Sequence, residues 1–353
     1  MSNEPTGTAS VRVGLNGFGR IGRGIFRAAL SHPGVELVGI NDIMDPDDMR
    51  YLLAYDSVAG RLEDVRLEGD SLAVDGVSVP IYRERDPSQL PWDEQDVDVA
   101  LECTGLFRTY EDAAKHLEAG ADKAIISAPP KGDTEVFQLV YGANHQEYDG
   151  QEVVSNASCT TNSVAPVAKV LDDEFGIVSG LLTTVHAYTS TQQLVDGPSG
   201  SRRRGRAAAE NIIPTTTGAA VATTEVLPQL EGKLDGMAMR VPVPNGSITD
   251  LVVDLEADAG VEDVNDAIRA AASGELEGVL GCTDEEIVSR DIVGLPYSSL
   301  IDLSATMAVE DGLVKVLAWY DNEFGFSNRM LDVAEFVTNG DVRARGESLA
   351  ASR

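Results

Sequence analysis

Residues 11–22 read Val-Arg-Val-Gly-Leu-Asn-Gly-Phe-Gly-Arg-Ile-Gly. A short apolar run with strand character ends in Gly17-Phe18-Gly19-Arg20-Ile21-Gly22, the pattern G-x-G-x-x-G, and a helical periodicity carried by Ile21, Ile25, Ala28 and Ala29 follows until 32–34 break it. At a strand-to-helix junction each glycine has its own task. Gly17 permits the tight turn, Gly19 lets a pyrophosphate approach the backbone, and Gly22 allows close helix–strand contact, with phosphate oxygens on the N–H groups of the helix start. A glycine-rich turn without a ligand is the plain alternative. Asp42, 20 residues past Gly22 (42 − 22 = 20) and just after an apolar run at 35–40, shifts the balance toward a dinucleotide. A carboxylate there accepts ribose hydroxyls and repels a 2′-phosphate, which favours NAD over NADP. A helix cap or turn residue beside Asn41 is the competing reading. Arg85 and the arginines at 202–206 could offset the repulsion, so NADP stays open.

Strand and helix patterns alternate outward from this stretch. Helices are expected at 48–55 and 111–119, with strands at 71–74, 77–82, 97–105 and 123–127, which together predict a largely parallel, Rossmann-type sheet. The pattern changes after residue 157. A helix at 158–175 precedes widely spaced strands at 177–188, 234–242, 247–256 and 313–320, with one more helix at 261–271. Such spacing predicts an α+β catalytic domain with a mixed or antiparallel sheet. The expected organisation is a nucleotide-binding domain at 1–157, a catalytic domain at 158–325, and a C-terminal segment at 326–353 whose helix packs back on the first. A long Gly/Arg/Ser-rich loop covers 196–206.

A length of 353 residues suits about two domains. With 27 basic against 58 acidic residues the formal net charge is −31. A field of that sign repels nucleic-acid backbones and anionic lipid, so neither is an expected partner. No apolar run is long enough for a membrane-spanning helix, and the first ten residues lack the pattern of a secretory signal. Three scattered cysteines make no disulfide framework and fit a reducing, cytoplasmic setting. The acids lie in short patches between apolar segments, which describes a folded core under a carboxylate-covered surface. At about 1 M salt the Debye length is roughly 3 Å, so such a surface suits a salt-rich cytoplasm; an ordinary acidic enzyme is the alternative.

Chemistry is carried by few residues. Cys159, within SNASCTTNS, stands directly before an apolar helical face, and a helix N-terminus favours thiolate and can hold an oxyanion. Cys103 and Cys282 read as small core or sheet residues. Of four histidines, His186 lies in LLTTVHAYT, where strand alternation places Thr184, His186 and Tyr188 on one face. An imidazole beside Cys159 would stabilise thiolate and exchange the proton of a thiohemiacetal. An inert thiol and a satisfied sheet histidine are the plain alternatives. No spacing suggests a metal site. Arg204 and Arg240, with hydroxyl-rich 215–217 and Gly218, could clamp a phosphate; salt bridges between subunits are the other use for 202–206.

Over nearly its full length the chain resembles the type I phosphorylating glyceraldehyde-3-phosphate dehydrogenases, with a halophilic composition. The resemblance rests on NGFGRIGR (16–23), YDSVAGRL (55–62), ASCTTNS (157–163), HAYT (186–189), RAAAENIIPTTTGAA (206–220), RVPVPNGS (240–247) and WYDNEFGFSNRM (319–330). It implies a nucleophile at Cys159, a base at His186 and a nicotinamide-orienting amide at Asn322. Backbone contacts to the cofactor would come from Arg20 and Ile21, the ribose acid would be Asp42, and Arg85, Thr104 and Ser127 would line the cofactor. Thr189 and Arg240 match the substrate-phosphate pocket. Ser158, Thr160, Thr217 and Gly218 match the inorganic-phosphate pocket, with Arg204 near both. The resemblance further implies oxidation of glyceraldehyde 3-phosphate with NAD and phosphate to 1,3-bisphosphoglycerate, in a homotetramer whose loop at 189–209 reaches a neighbouring subunit. Two departures stand out: Ser163 replaces a second cysteine common in the family, and the loop at 198–203 is about a residue shorter. Asp196-Gly197-Pro198 matches the NAD-using branch, with NADP-using and dual-cofactor relatives as alternatives. Erythrose-4-phosphate dehydrogenase and a non-catalytic nucleotide- or RNA-binding protein are the competing functions.

Overall fold

Val11–Asn16 is the central strand of a nine-stranded sheet. Val99–Glu102, Lys123–Ile126 and Val153–Ser155 follow in order on one side, and Val35–Asn41 and Val77–Tyr82 on the other, all parallel. The hairpin strands Ser71–Val74 and Arg66–Glu68 extend the second side in antiparallel fashion. The chain thus winds in both directions away from Val11–Asn16. A crevice opens beyond the carboxyl ends of strands at such a reversal. Val13, Leu15, Ile40, Val99 and Leu101 are wholly buried, as expected for parallel strands covered on both faces.

The computed structural model describes residues 10–309 and 312–342. The first nine residues, on which the expectation about a secretory signal bears, and 343–353 of the expected C-terminal segment lie outside the described residues. The chain divides into one unit of Met1–Phe137, Tyr148–Asn156 and Met330–Arg353, and another of Gln138–Glu147 and Ala157–Arg329. Segment Gln138–Glu147 groups with the second unit because Val140 and Tyr141 pack into that unit's core.

The expected fold class is borne out: a parallel nucleotide-binding sheet and a mixed sheet. Local differences have local causes. The helix expected at 48–55 runs Pro46–Ala54, because the Asp45 side chain accepts from Asp47 N and Pro46 fits the first turn. The helix expected at 111–119 is two short pieces, Tyr110–Ala113 and Lys115–Glu118. The last helix, Phe324–Asn339, begins two residues before the expected C-terminal segment at 326. From Met330 on it belongs to the first unit, where His32 Nε2 lies 3.1 Å from Asp332 Oδ1 and Tyr148 meets Phe336 edge-on.

In the second unit the strand order is Ile213–Thr216, Leu234–Val241, Ile177–Ala187, Ser247–Leu255, Leu313–Tyr320, Ser299–Asp302, Leu280–Thr283. Ile177–Ala187 runs parallel to Leu234–Val241, and Leu280–Thr283 parallel to Ser299–Asp302; the remaining neighbours are antiparallel. Ser247–Leu255 alternates strictly between buried and half-buried residues, so one face is covered. Val164, Val167 and Leu171 of helix Cys159–Phe175 and Ile268 of helix Val261–Ala272 share a core with Leu251, Val253 and Val316 of that face. The core anchors the helix whose first residue is Cys159.

Candidate active site

The candidate residues form two groups, one in each unit. In the first, Gly17 has φ +100°, and a Cβ there would stand 2.7 Å from Thr104 N. A Cβ on Gly22 would meet Gly17 O at 2.0 Å. Both positions therefore need glycine, one for the turn and one for the close approach. A Cβ on Gly19 would meet nothing within 4 Å, so the approach over this residue is open. Gly19 caps the helix Arg20–Ala29, whose start supplies N–H groups for a phosphate.

Gly17, Gly19, Asp42, Arg85 and Thr104 line one cavity of about 300 Å³. Asp42 Oδ2 accepts from Phe18 N at 2.6 Å and Oδ1 from Met44 N at 2.9 Å, so this carboxylate clamps the glycine loop and keeps one acceptor site on each oxygen for a ligand. Arg20, Ile21, Gly22 and Ser127 do not line the cavity. The Arg20 side chain turns to Asp56 at 2.5 Å, which leaves its expected contribution to the backbone alone. Ser127 lies at the end of Lys123–Ile126 and donates its N–H to Glu102 O at 3.0 Å. Asn16, Asn41, Glu84, Leu106 and Phe107 line the cavity without having been singled out. Asn16 and Asn41 end their strands in the sequence, and that was the available signal. The glycine geometry, the open approach over Gly19 and the acceptor carboxylate of Asp42 fit a dinucleotide.

In the second unit Ser158 caps the helix, its Oγ accepting from Thr161 N at 3.0 Å, which fixes Cys159 as the first helical residue. Cys159 Sγ lies 3.5 Å from His186 Nε2. His186 Nδ1 lies 2.6 Å from Ala187 O, so the bond Nδ1–H to carbonyl turns the Nε2 lone pair toward the sulfur. The parallel register pairs His186 with Arg240. Arg240 donates to Ala187 O at 2.8 Å, with the same nitrogen 2.9 Å from His186 Nδ1. Tyr320 was not anticipated. Its hydroxyl bonds Thr160 Oγ1 at 2.9 Å and Thr184 Oγ1 at 2.7 Å, tying the helix start to the strand of His186, and its ring meets that imidazole edge-on.

Burial governs the charges here. It pushes the Cys159 thiol up, against the pull of Arg240 and of hydrogen bonds at Thr160. It pushes His186 down to about 3, assisted by Arg240. The thiolate expected from the helix terminus alone is thus opposed by desolvation. Transfer of one proton from Sγ to Nε2 would place opposite charges 3.5 Å apart, each favouring the other.

Arg204 and Arg240 are close enough for Arg204 to lower the Arg240 pKa, after burial as the larger cause. Among the described residues neither forms an ion pair with a carboxylate, and Arg240 Nε is buried without a hydrogen-bond partner. Two guanidiniums so arranged in a strongly acidic chain suit a bound anion. Arg204 also donates to Thr215 Oγ1 at 3.0 Å. Thr217 Oγ1 accepts from Ala219 N at 3.1 Å, and Gly218 caps the helix Ala219–Val226, which was not anticipated. Thr189 bonds Thr191 through their hydroxyls at 3.0 Å. Asn322 Oδ1 accepts from Gly246 N at 3.2 Å and Ser247 Oγ at 2.8 Å, which sets the orientation of its amide.

Comparison with known proteins places these units. Residues 11–110 match the NAD binding domain of glyceraldehyde 3-phosphate dehydrogenase, and 158–322 match its C-terminal domain. The chain is 65% identical over 340 residues to the glyceraldehyde-3-phosphate dehydrogenase of Haloarcula vallismortis, covering 96% of this chain and 100% of that protein. It is 54% identical over 333 residues to the enzyme of that name from Geobacillus stearothermophilus, covering 94% and 99%. It is 52% identical over 325 residues to a Leishmania mexicana protein named as the cytosolic form, covering 92% and 98%.

Proposed function

The chain belongs to the glyceraldehyde-3-phosphate dehydrogenase family, and we propose that it catalyses the phosphorylating reaction: D-glyceraldehyde 3-phosphate, NAD and inorganic phosphate give 1,3-bisphosphoglycerate, reversibly. The observation that carries this reading is the 3.5 Å contact of Cys159 Sγ with His186 Nε2 at a helix start. Cys159 gives its proton to His186 and attacks the aldehyde carbon. The imidazolium returns a proton to the new oxygen, forming a thiohemiacetal, and Nε2 then takes back the hydroxyl proton. Bound dinucleotide supplies the hydride acceptor that makes the thiohemiacetal carbon a thioester. Inorganic phosphate attacks that carbon, and Cys159 leaves as thiolate. N–H groups at the start of helix Cys159–Phe175 offer donors to the oxyanions along this path.

Thr189 and Arg240 hold the substrate's phosphate. Ser158, Thr160, Thr217 and Gly218 receive the attacking one, with Arg204 serving both. Gly17, Gly19, Arg20, Ile21, Gly22, Asp42, Arg85, Thr104, Ser127 and Asn322 hold and orient the dinucleotide, and Asp42 selects NAD over NADP. Units at 1–157, 158–325 and 326–353, a homotetramer in the cytoplasm, and a surface adapted to high salt complete the reading. No described helix is long and apolar enough to cross a membrane.

The deciding experiment is product analysis with glyceraldehyde 3-phosphate and NAD, with and without inorganic phosphate. Multiple turnovers that require phosphate and yield the acyl phosphate support the reading. Equal turnover without phosphate, releasing the free acid, would replace it with a hydrolytic dehydrogenase of the erythrose-4-phosphate type.

A further inference from the structure

The cavity of the first unit rests on buried polar groups that the proposed reaction does not use. Trp92 is wholly buried over Gly14 and Gly39, which face each other in register on neighbouring strands. A Cβ on Gly39 would stand 2.8 Å from the indole and one on Gly14 3.1 Å, so the two glycines make the ring's seat. Indole Nε1 donates to His116 Nδ1 at 3.0 Å. An indole N–H only donates, so Nδ1 is the acceptor and the imidazole proton sits on Nε2. That nitrogen lies 3.2 Å from Glu102 Oε2, which makes His116 a neutral donor to a carboxylate. The same oxygen accepts from Asn16 Nδ2 at 2.5 Å. Glu102 Oε1 accepts from Thr104 N at 2.8 Å and from the Thr104 hydroxyl. Glu102 is 1% exposed, and four neutral donors occupy both of its oxygens.

Three of these four donors, those of Asn16 and Thr104, belong to walls of the cavity. Asn41, Glu84 and Leu106 line it as well. Asn41 donates to Asn16 Oδ1 at 2.7 Å and exchanges hydrogen bonds with the backbone of Glu84. Leu106 N donates to Thr104 Oγ1 at 3.1 Å. One carboxylate beneath the cavity therefore joins residues from both sides of the crevice, while Glu102 itself does not line it.

We propose that Glu102, backed by the His116–Trp92 pair, is a positioning residue of this cavity, holding Asn16, Asn41 and Thr104 in the arrangement that takes up the dinucleotide. The proposal rests on reading the cavity as the dinucleotide site. Glutamine at this position would have nearly the same volume but only one acceptor oxygen, and its NH₂ would face two of the donors.

The test is NAD titration by calorimetry on the full-length protein, with thermal melting and Cys159 alkylation as controls. Glu102→Gln is expected to weaken NAD binding about 10- to 100-fold, with the alkylation rate unchanged. His116→Leu removes the donor to Glu102 and should weaken NAD binding about tenfold, whereas His116→Gln can again accept from Trp92 and donate to Glu102 and should recover most of the loss. This pair of variants also decides the matter if Glu102→Gln does not fold. A merely structural role would lower the melting temperature in both His116 variants and leave NAD affinity alone, and that result overturns the proposal. Wild-type protein that binds neither NAD nor NADP overturns the underlying reading, a result distinct from a variant that binds as wild type does.

Discussion

His186 Nε2 faces Cys159 Sγ at 3.5 Å while Ala187 O holds the far side of the ring at 2.6 Å. Burial taken singly favours the neutral thiol and the neutral imidazole. Taken together, proton transfer leaves the charges in contact, with the helix N-terminus on the sulfur side and a carbonyl on the ring side. Among the described residues His186 Nε2 is the imidazole nitrogen placed to receive the thiol proton, 3.5 Å from the sulfur. In His186→Asn the rate of Cys159 alkylation by iodoacetamide at pH 7 is therefore expected to fall about tenfold or more. The pre-steady-state burst should slow by roughly 10²–10⁴-fold. Cys159→Ser should abolish turnover and leave NAD binding intact. Unchanged alkylation and burst rates in His186→Asn would remove the histidine from the proposed chemistry.

The clamp on the glycine loop sets the second prediction. Asp42 takes Phe18 N and Met44 N on separate oxygens, so its negative charge is fixed beside the cavity. Asp42→Asn has nearly the same volume and removes the charge that repels a 2′-phosphate, although its NH₂ would face one of the two backbone N–H donors and loosen the clamp. The ratio of kcat/KM for NAD over NADP should drop about tenfold or more, as expected for removing an ionised acceptor from a ribose contact. An unchanged ratio would show that Asp42 serves the loop alone.

Much of this was legible because the decisive signals are local. Strand, three spaced glycines and helix require one another, and Gly17 and Gly22 carry that requirement in a positive φ and a 2.0 Å approach. Cys159 at a helix start follows from SNASCTTNS and the apolar face behind it. The missed features depend on distant pairing. Tyr320 reaches Thr160 and Thr184 only through the sheet order. The Glu102 network joins strands 86 positions apart in sequence, and a glutamate in an apolar run gives no sign of its four donors. The start of helix Pro46–Ala54 was different, since Asp45 followed by Pro46 is a readable cap.

Asp56 links acid stability to the glycine loop. Its carboxyl is buried, which alone would raise its pKa, yet the N–H groups of Ala59 and Val58 and the Arg20 guanidinium hold it below the ordinary value. A depressed carboxylate adds stability above its unfolded pKa, and that stability is lost as pH falls through the folded one. Asp56→Asn should therefore melt about 2–4 °C lower than wild type at pH 7, and the gap should narrow as the pH falls below the ordinary carboxylate value and through the lower one of the folded state. A gap that persists in acid would assign the effect to packing instead of charge.

The final prediction follows from what the ion pairs cannot offset. Pairs such as Arg61–Glu63 and Arg206–Asp196 have both side chains well exposed, and exposed pairs contribute roughly 0–1 kcal/mol each. They cannot balance a net charge of −31, so repulsion among surface carboxylates opposes the compact state at low ionic strength. Salt screens that repulsion over a Debye length of about 10 Å at 0.1 M and about 3 Å at 1 M. The melting temperature should rise from 0.1 to 3 M KCl, most steeply below about 1 M, where the screening length changes fastest. Sucrose, which adds no ions, should not reproduce the steep early rise. A flat melting temperature across the KCl series would mean that the acid coat does not limit stability.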